Sequence, residues 1–268
     1  MVETPEALSR EWPDDGLSRD VWLGGRLTLV QPRNGHRVGS DAALLAAAAD
    51  AAHGRVVDVG AGVGAVGLAL ISRNARLAAD LVEIAPDLAE LAAGNAARNG
   101  LAQRVRILPI DIRDARARRE AGLADNEAEA VVTNPPFFDS RAVRASPNDG
   151  KARAHVLSAD ETVVAPLIGW IRANLAILKP GGRFTMIHRP DALGAILAAA
   201  ENRLGAVALL PVFPREGASA HRLLVSGMKG SRVPLRVAPA LVLHQADGRL
   251  TPEADAIHRG EALLDWGV

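Results

Sequence analysis

The sequence has no cysteine and no tyrosine, and only 3% of its residues are aromatic. Without thiols there are no disulfides, no thiolate metal sites and no cysteine nucleophile. So few aromatics leave little with which to stack several bases at once. Net charge is missing too, since 31 basic and 31 acidic residues cancel, whereas dedicated nucleic-acid-binding modules carry a basic excess. Only three of the basic residues are lysine (Lys151, Lys179, Lys229), so the positive charge is almost wholly arginine. Long apolar runs are also lacking. The longest, residues 42–49, falls far short of the ~20 needed to span a bilayer. The acidic start of the chain has no apolar stretch after a basic one, so no secretory signal is expected and the reading is a cytoplasmic protein. Disorder is excluded in turn, because 49% of the residues are hydrophobic.

What is present is a rhythm. Residues 55–59, 77–84, 105–110, 128–133 and 182–188 read as strands. Helical stretches at 65–73, 86–99, 162–178 and 191–203 fall between or after them. That alternation predicts a parallel sheet covered by helices on both faces. Residues 206–213 and 221–228 follow with no helix between them and read as an antiparallel hairpin. Ahead of this lie a short strand at 25–30 and an Ala/Leu helix introduced by Ser40 and Asp41. The fold class is therefore α/β, in a single domain over 1–268. Residues 1–50 form an N-terminal extension and 231–268 a C-terminal appendage.

The first informative segment is Asp58-x-Gly60-x-Gly62-x-Gly64. Its glycines allow a sharp turn after a strand and let a ligand approach the backbone without a Cβ in the way. The helix that follows offers unpaired N–H groups. Gly62, Gly64 and Gly67 satisfy the dinucleotide pattern G-x-G-x-x-G, so a pyrophosphate cofactor is one reading. Asp58 before the turn supports a second, S-adenosylmethionine, whose ammonium suits an acid and backbone carbonyls. Glu83 ends the next strand, where a carboxylate can accept ribose hydroxyls. Asp111, after the third, can accept from an adenine amino group.

The second segment, Asn134-Pro135-Pro136-Phe137, follows the fourth strand directly. Paired prolines stiffen the chain and remove two donors, and the residue before a proline is pushed into an extended conformation. Two free acceptors, the Asn134 side-chain oxygen and the Pro135 carbonyl, suit a planar amino nitrogen, and Phe137 can stack on its ring. An exocyclic adenine amine and a glutamine amide both fit that description.

Together these residues resemble the class I, N6-adenine-type methyltransferases. The flanks DVWLGGRLTLVQP (20–32), GHRVGSDAALL (35–45) and LVLH-x3-GRLTPEA (241–254) are similar to the bacterial family that methylates the anticodon-adjacent adenine of valine tRNA. The resemblance runs from about Asp20 to the tail. It implies a Rossmann-like seven-stranded sheet, S-adenosylmethionine as methyl donor and tRNA as substrate. It carries Asn134 to Phe137 over as the amine clamp, and the Asp58–Gly64 turn, Glu83 and Asp111 as the cofactor site. Phe137 departs from the tyrosine many relatives have there, so stacking survives and a hydroxyl contact does not.

Arg37 and Asp41 are candidates to cover the methionine end of the cofactor, although Asp41 serves equally as a helix cap. Arg141, Arg144, Lys151 and Arg153 form a basic stretch after the clamp that either meets RNA or is solvated surface. Arg215, Arg222, Lys229, Arg232 and Arg236 make a second basic group around the hairpin. The seven histidines show no ligand spacing, so no metal is expected.

Overall fold

The computed structural model describes residues 16–34, 37–49, 51–136 and 159–267. An antiparallel ribbon, β1 (Leu17–Trp22) and β2 (Leu27–Pro32), leads into helix α1 (Ser40–Ala48). Strands and helices then alternate through β3 (Gly54–Val59), α2 (Ala65–Arg73), β4 (Leu77–Val82) and α3 (Pro86–Arg98). They continue through β5 (Val105–Leu108), α4 (Ala115–Glu120) and β6 (Ala128–Thr133). After α5 (Ala159–Ile177), β7 (Leu178–His188) and α6 (Leu193–Ala200), the strands β8 (Leu204–Arg215) and β9 (Arg222–Lys229) form the expected hairpin. Two short strands, β10 (Arg236–Val237) and β11 (Leu241–His244), and helix α7 (Pro252–His258) complete the chain.

Runs of valine, alanine and leucine without polar alternation build strands buried on both faces, and β3, β4 and β6 are of this kind. They lie in the middle of a nine-stranded sheet ordered β10-β8-β9-β7-β6-β3-β4-β5, with β11 also on β8. Strands β3 to β9 are the seven-stranded sheet the sequence implies. The tail expected as an appendage extends it, because β10 and β11 pair parallel to β8. Strands of two and four residues are too short to show a period in sequence. One core layer packs α1, α2, α3 and α7 on one face; the other packs α5 and α6 on the opposite face.

Helix α1 has no polar side within residues 42–48, so it must be buried all round, and it is. Burial leaves its last carbonyls to be satisfied from elsewhere. Arg73 of α2 donates to Ala46 O and Ala49 O, the Leu264 amide to Ala47 O, and the Trp266 indole to Ala48 O. The C-terminal tail thus closes the end of the N-terminal helix.

The β1–β2 ribbon is held by two asparagines one turn apart, Asn95 on α3 and Asn99 at its C-cap. Asn99 donates to Thr28 O and accepts from Thr28 N–H, both at 2.9 Å. Asn95 accepts from Val30 N–H at 2.7 Å and donates to Val30 O and Val63 O at 3.0 Å. Each side-chain amide copies the pairing that a neighbouring strand would give β2. Removing a group that satisfies buried partners costs about 1–3 kcal/mol for each one orphaned. Of the three partners of Asn95 only Val63 O is fully buried, so Asn95→Ala is expected to destabilise the fold by roughly 2–4 kcal/mol in urea unfolding, with faster amide exchange at Val30. A change under about 1 kcal/mol would mean that apolar packing alone docks the ribbon.

Candidate active site

In an open α/β sheet, ligands bind beyond the carboxyl ends of the strands where the strand order reverses. Here the chain leaves β3 for β4 on one side and returns to β6 on the other, so the reversal lies between β3 and β6. Register aligns the ends: Val59 lies opposite both Val82 and Thr133. The residues that follow are Gly60, Glu83 and Asn134, which therefore stand together at one edge of the sheet.

The glycine turn is tied to this edge by backbone and side chains. The amides of Gly60 and Ala61 donate to Val82 O at 2.9 and 3.0 Å. Glu83 accepts from Gly62 N–H through one oxygen and from Ala85 N–H through the other, both at 2.9 Å. Gly62 has a φ of +55° and nothing within 4 Å of where a Cβ would stand, so its outer side opens on a crevice. Gly67 answers a different need. A Cβ there would lie 2.3 Å from Leu81 Cδ2, so its absence lets α2 pack on β4. Asp58, 2% exposed, accepts from Gly67 N–H at 2.8 Å and so anchors the first turn of α2.

Asp111 follows β5, and Arg113 grips its carboxylate through the side chain and, at 2.9 Å, the backbone N–H. Those hydrogen bonds hold the Asp111 carboxyl below its usual range. Asn134 is half-buried, Pro135 buried and Pro136 exposed. Phe137, Arg141, Arg144, Lys151 and Arg153 lie outside the described residues.

Arg37 and Asp41 both hold partners that sequence reasoning did not foresee. Arg37 pairs with Asp20 of β1 at 2.9 Å. Asp41 does not cap α1: Gly39 occupies the cap position, and the Asp41 carboxylate accepts from Arg222 Nε at 2.8 and 3.0 Å. A guanidinium delivered by β9 competes for the oxygens that a cap would use. Three further residues lie at this edge of the sheet or bond to it. Ile84, directly after Glu83, is 60% exposed. Thr133 donates to Val59 O at 2.8 Å and accepts from Trp170 of α5 at 3.0 Å. An apolar residue just past a strand end was a readable signal for Ile84; nothing local marks Trp170, which is 37 residues from Thr133.

A family model for the methyltransferase small domain matches residues 35–148. A tRNA1(Val) (adenine(37)-N6)-methyltransferase of Porphyromonas gingivalis is 31% identical over 246 residues, covering 88% of this chain and 92% of that protein. The chain belongs to this methyltransferase family. It is an S-adenosylmethionine-dependent enzyme, and the dinucleotide reading of Gly62, Gly64 and Gly67 falls away. A solved structure, the predicted O-methyltransferase Atu636 of Agrobacterium tumefaciens, matches with a TM-score of 0.69 at 31% identity, over 85% of this chain and all of that one. A release factor glutamine methyltransferase of Bifidobacterium longum is 29% identical over 51% of this chain and 48% of its own length.

The basic groups of the methyltransferase are dispersed. Arg222 stands at the carboxyl edge, whereas Lys229 lies at the opposite end of β9 and donates to Leu175 O, Ala176 O and Leu178 O at the end of α5. Arg236 donates to Trp266 O. Arg104 caps the end of α2 through Ile71 O and Asn74 O, and Arg118 is buried on Ile112 O. Among the described residues no helix is long and apolar enough to cross a membrane.

Burial pushes the Asp58 carboxyl up to about 7; the Gly67 amide opposes this and the Glu83 charge adds to it. The folded value thus exceeds the ordinary value of 3.8, and the folded state holds the proton more tightly. The resulting stability is complete below about pH 4 and is lost as pH rises through 7. Asp58→Asn keeps an acceptor for Gly67 and has no charge to bury. Its melting temperature is expected to fall less than that of the wild type between pH 5 and 8, read by differential scanning calorimetry. Parallel curves would show that Asp58 does not titrate there.

Proposed function

We propose that the methyltransferase methylates the exocyclic N6 of an adenine in RNA, the anticodon-adjacent adenine of a tRNA. The observation that carries this reading is Asn134-Pro135-Pro136 at the end of β6, one strand from the glycine turn. S-adenosylmethionine supplies an electrophilic methyl group on a positively charged sulfur. The residues present suit it. A carboxylate offers about four lone-pair sites, so Glu83, with two used by amides, has two left for ribose hydroxyls. Exposed Ile84 gives adenine an apolar face and Asp111 faces its amino group, while Asp58, its carboxyl pushed up by burial, serves the site by anchoring the glycine turn through Gly67 N–H. Gly60, Gly62 and Gly64 keep side chains out of the way, while Arg37 and Asp41 close the methionine end through their pairs with Asp20 and Arg222.

An adenine amine is a poor nucleophile because its lone pair is delocalised into the ring. In this reading the Asn134 oxygen and the Pro135 carbonyl each accept one N–H, which favours a pyramidal nitrogen. Pro136 stiffens the segment, and Phe137 stacks on the base, worth about 1–3 kcal/mol. The base must leave its stack to enter, and an anticodon loop makes that extrusion inexpensive. Arg141, Arg144, Lys151 and Arg153 then meet backbone phosphates. Positioning, with no acid–base group, supplies the rate. A second reading, methylation of a protein glutamine amide, draws on the glutamine methyltransferase relative and on the same pair of acceptors.

Tritiated methyl transfer from S-adenosylmethionine into total RNA and into total protein separates the two. Label in N6-methyladenosine of tRNA is expected; label in protein alone overturns the adenine reading. Asn134→Ala is expected to lower kcat by roughly 100-fold or more, the scale of losing one transition-state hydrogen bond. The calorimetric Kd for S-adenosylmethionine should stay near the wild-type value. Loss of cofactor binding would contradict the role given to Asn134.

A further inference from the structure

Thr133 immediately precedes Asn134, and Val59 immediately precedes Gly60, so these two residues are the last fixed points before the two loops of the site. The Thr133 hydroxyl joins them. It is fully buried, donates to Val59 O at 2.8 Å and accepts from Trp170 Nε1 at 3.0 Å. An indole N–H can only donate, so the hydroxyl proton must go to Val59 O and the direction of the chain is forced. The six-membered ring of Trp170 lies over Gly60, where an added Cβ would stand 3.2 Å from Cζ2 and 3.3 Å from Cη2. A single side chain from α5 therefore touches the glycine turn and, through one hydroxyl, the segment that carries Asn134.

The sheet does not require this chain of bonds. β3 and β6 already pair through Val56–Val59 and Ala130–Thr133. The bonds act at the point where that ladder stops, and they tie the glycine turn, whose other ties run to Val82, Glu83 and Asn95, to the β6 end that carries Asn134. We infer that Thr133 and Trp170 are positioning residues that set the distance between the acceptors of Asn134 and Pro135 and the turn that seats the methyl donor, an inference that rests on the proposed role of Asn134. A displacement of about 1 Å between reacting groups costs on the order of 100-fold in rate, so a loosened ladder end should act on turnover well before it acts on affinity.

Three variants test this in the full chain: Thr133→Val, which keeps shape and removes the hydroxyl; Thr133→Ser, which keeps the hydroxyl; and Trp170→Phe, which keeps a ring and removes the N–H. Rates are taken well below each variant's melting temperature, with total RNA and total protein as acceptors. Whichever acceptor the wild type labels then supplies the rate, and a wrong substrate reading does not disable the test. Thr133→Val and Trp170→Phe are each expected to lower kcat roughly 10- to 100-fold with KM for the acceptor within about twofold. Thr133→Ser should restore most of kcat, and the double variant should be no worse than the poorer single, because one chain of bonds is broken once. A purely structural role would lower the melting temperature and leave kcat alone. Turnover of Thr133→Val within about twofold of wild type, or equal damage from Thr133→Ser, overturns the inference. Amide exchange over residues 58–64 and 128–134 gives a readout free of any acceptor. Faster exchange in both segments of Thr133→Val supports the link, and unchanged exchange overturns it even if the wild type labels neither acceptor.

Discussion

Parallel pairing of β3 with both of its neighbours sets Val59 level with Val82 and Thr133, and the site depends on that alignment. Gly60 at the start of the glycine turn, Glu83 and Asn134 are spread over more than 70 residues of sequence, yet each is the first residue past a strand end. A slip of one residue in either pairing would turn a whole strand's side chains to the opposite face. Apolar burial on both faces makes such a slip costly, so the energy that holds the core also sets the geometry of the crevice. The bond from Thr133 to Val59 O extends the same control one step past the ladder.

Among the described residues, many of the arginines do structural work. Arg73 and Arg104 end helices by taking their last carbonyls, Lys229 does so for α5, and Arg118 is buried on a loop carbonyl. Arg55 and Arg106 together neutralise Asp80, which is 1% exposed. A guanidinium suits such places because it stays charged and presents several donors in a fixed plane. The neutral total of the sequence therefore says little about a nucleic-acid partner, since much of the positive charge serves the interior and much of the rest sits in surface ion pairs.

The central strands and the helices beside them were legible because their periods are long and their composition unmixed; α2 occupies the residues the pattern assigns, 65–73. β1, β10, β11 and the six-residue α4 were not, since short elements are set by their neighbours more than by their own sequence. The glycine turn and Asn134-Pro135-Pro136 could be read because their chemistry is local to a few consecutive residues. Partners distant in sequence could not. Nothing near Asp41 announces Arg222, which is 181 residues away, and nothing near Thr133 announces Trp170. Asn95 and Asn99 read as ordinary helix residues until the ribbon edge they satisfy comes into view.

The glycine turn presents a physical conflict that these distant partners resolve. Glycine is needed where a ligand must approach the backbone, and it is also the residue with the most freedom to lose on folding. A turn open enough for a cofactor is thus prone to move, and a moving turn binds and positions poorly. Here the turn is pinned from three directions: Glu83 takes the Gly62 amide, Asn95 donates to Val63 O, and Trp170 lies against Gly60. Each pin comes from a different place, the residue just past β4, α3 and α5, and none of them closes the open side at Gly62. Rigidity is supplied from behind while the face toward the crevice stays bare. Asn95 also holds Val30 of the ribbon, so the N-terminal extension and the glycine turn share one side chain and are ordered together.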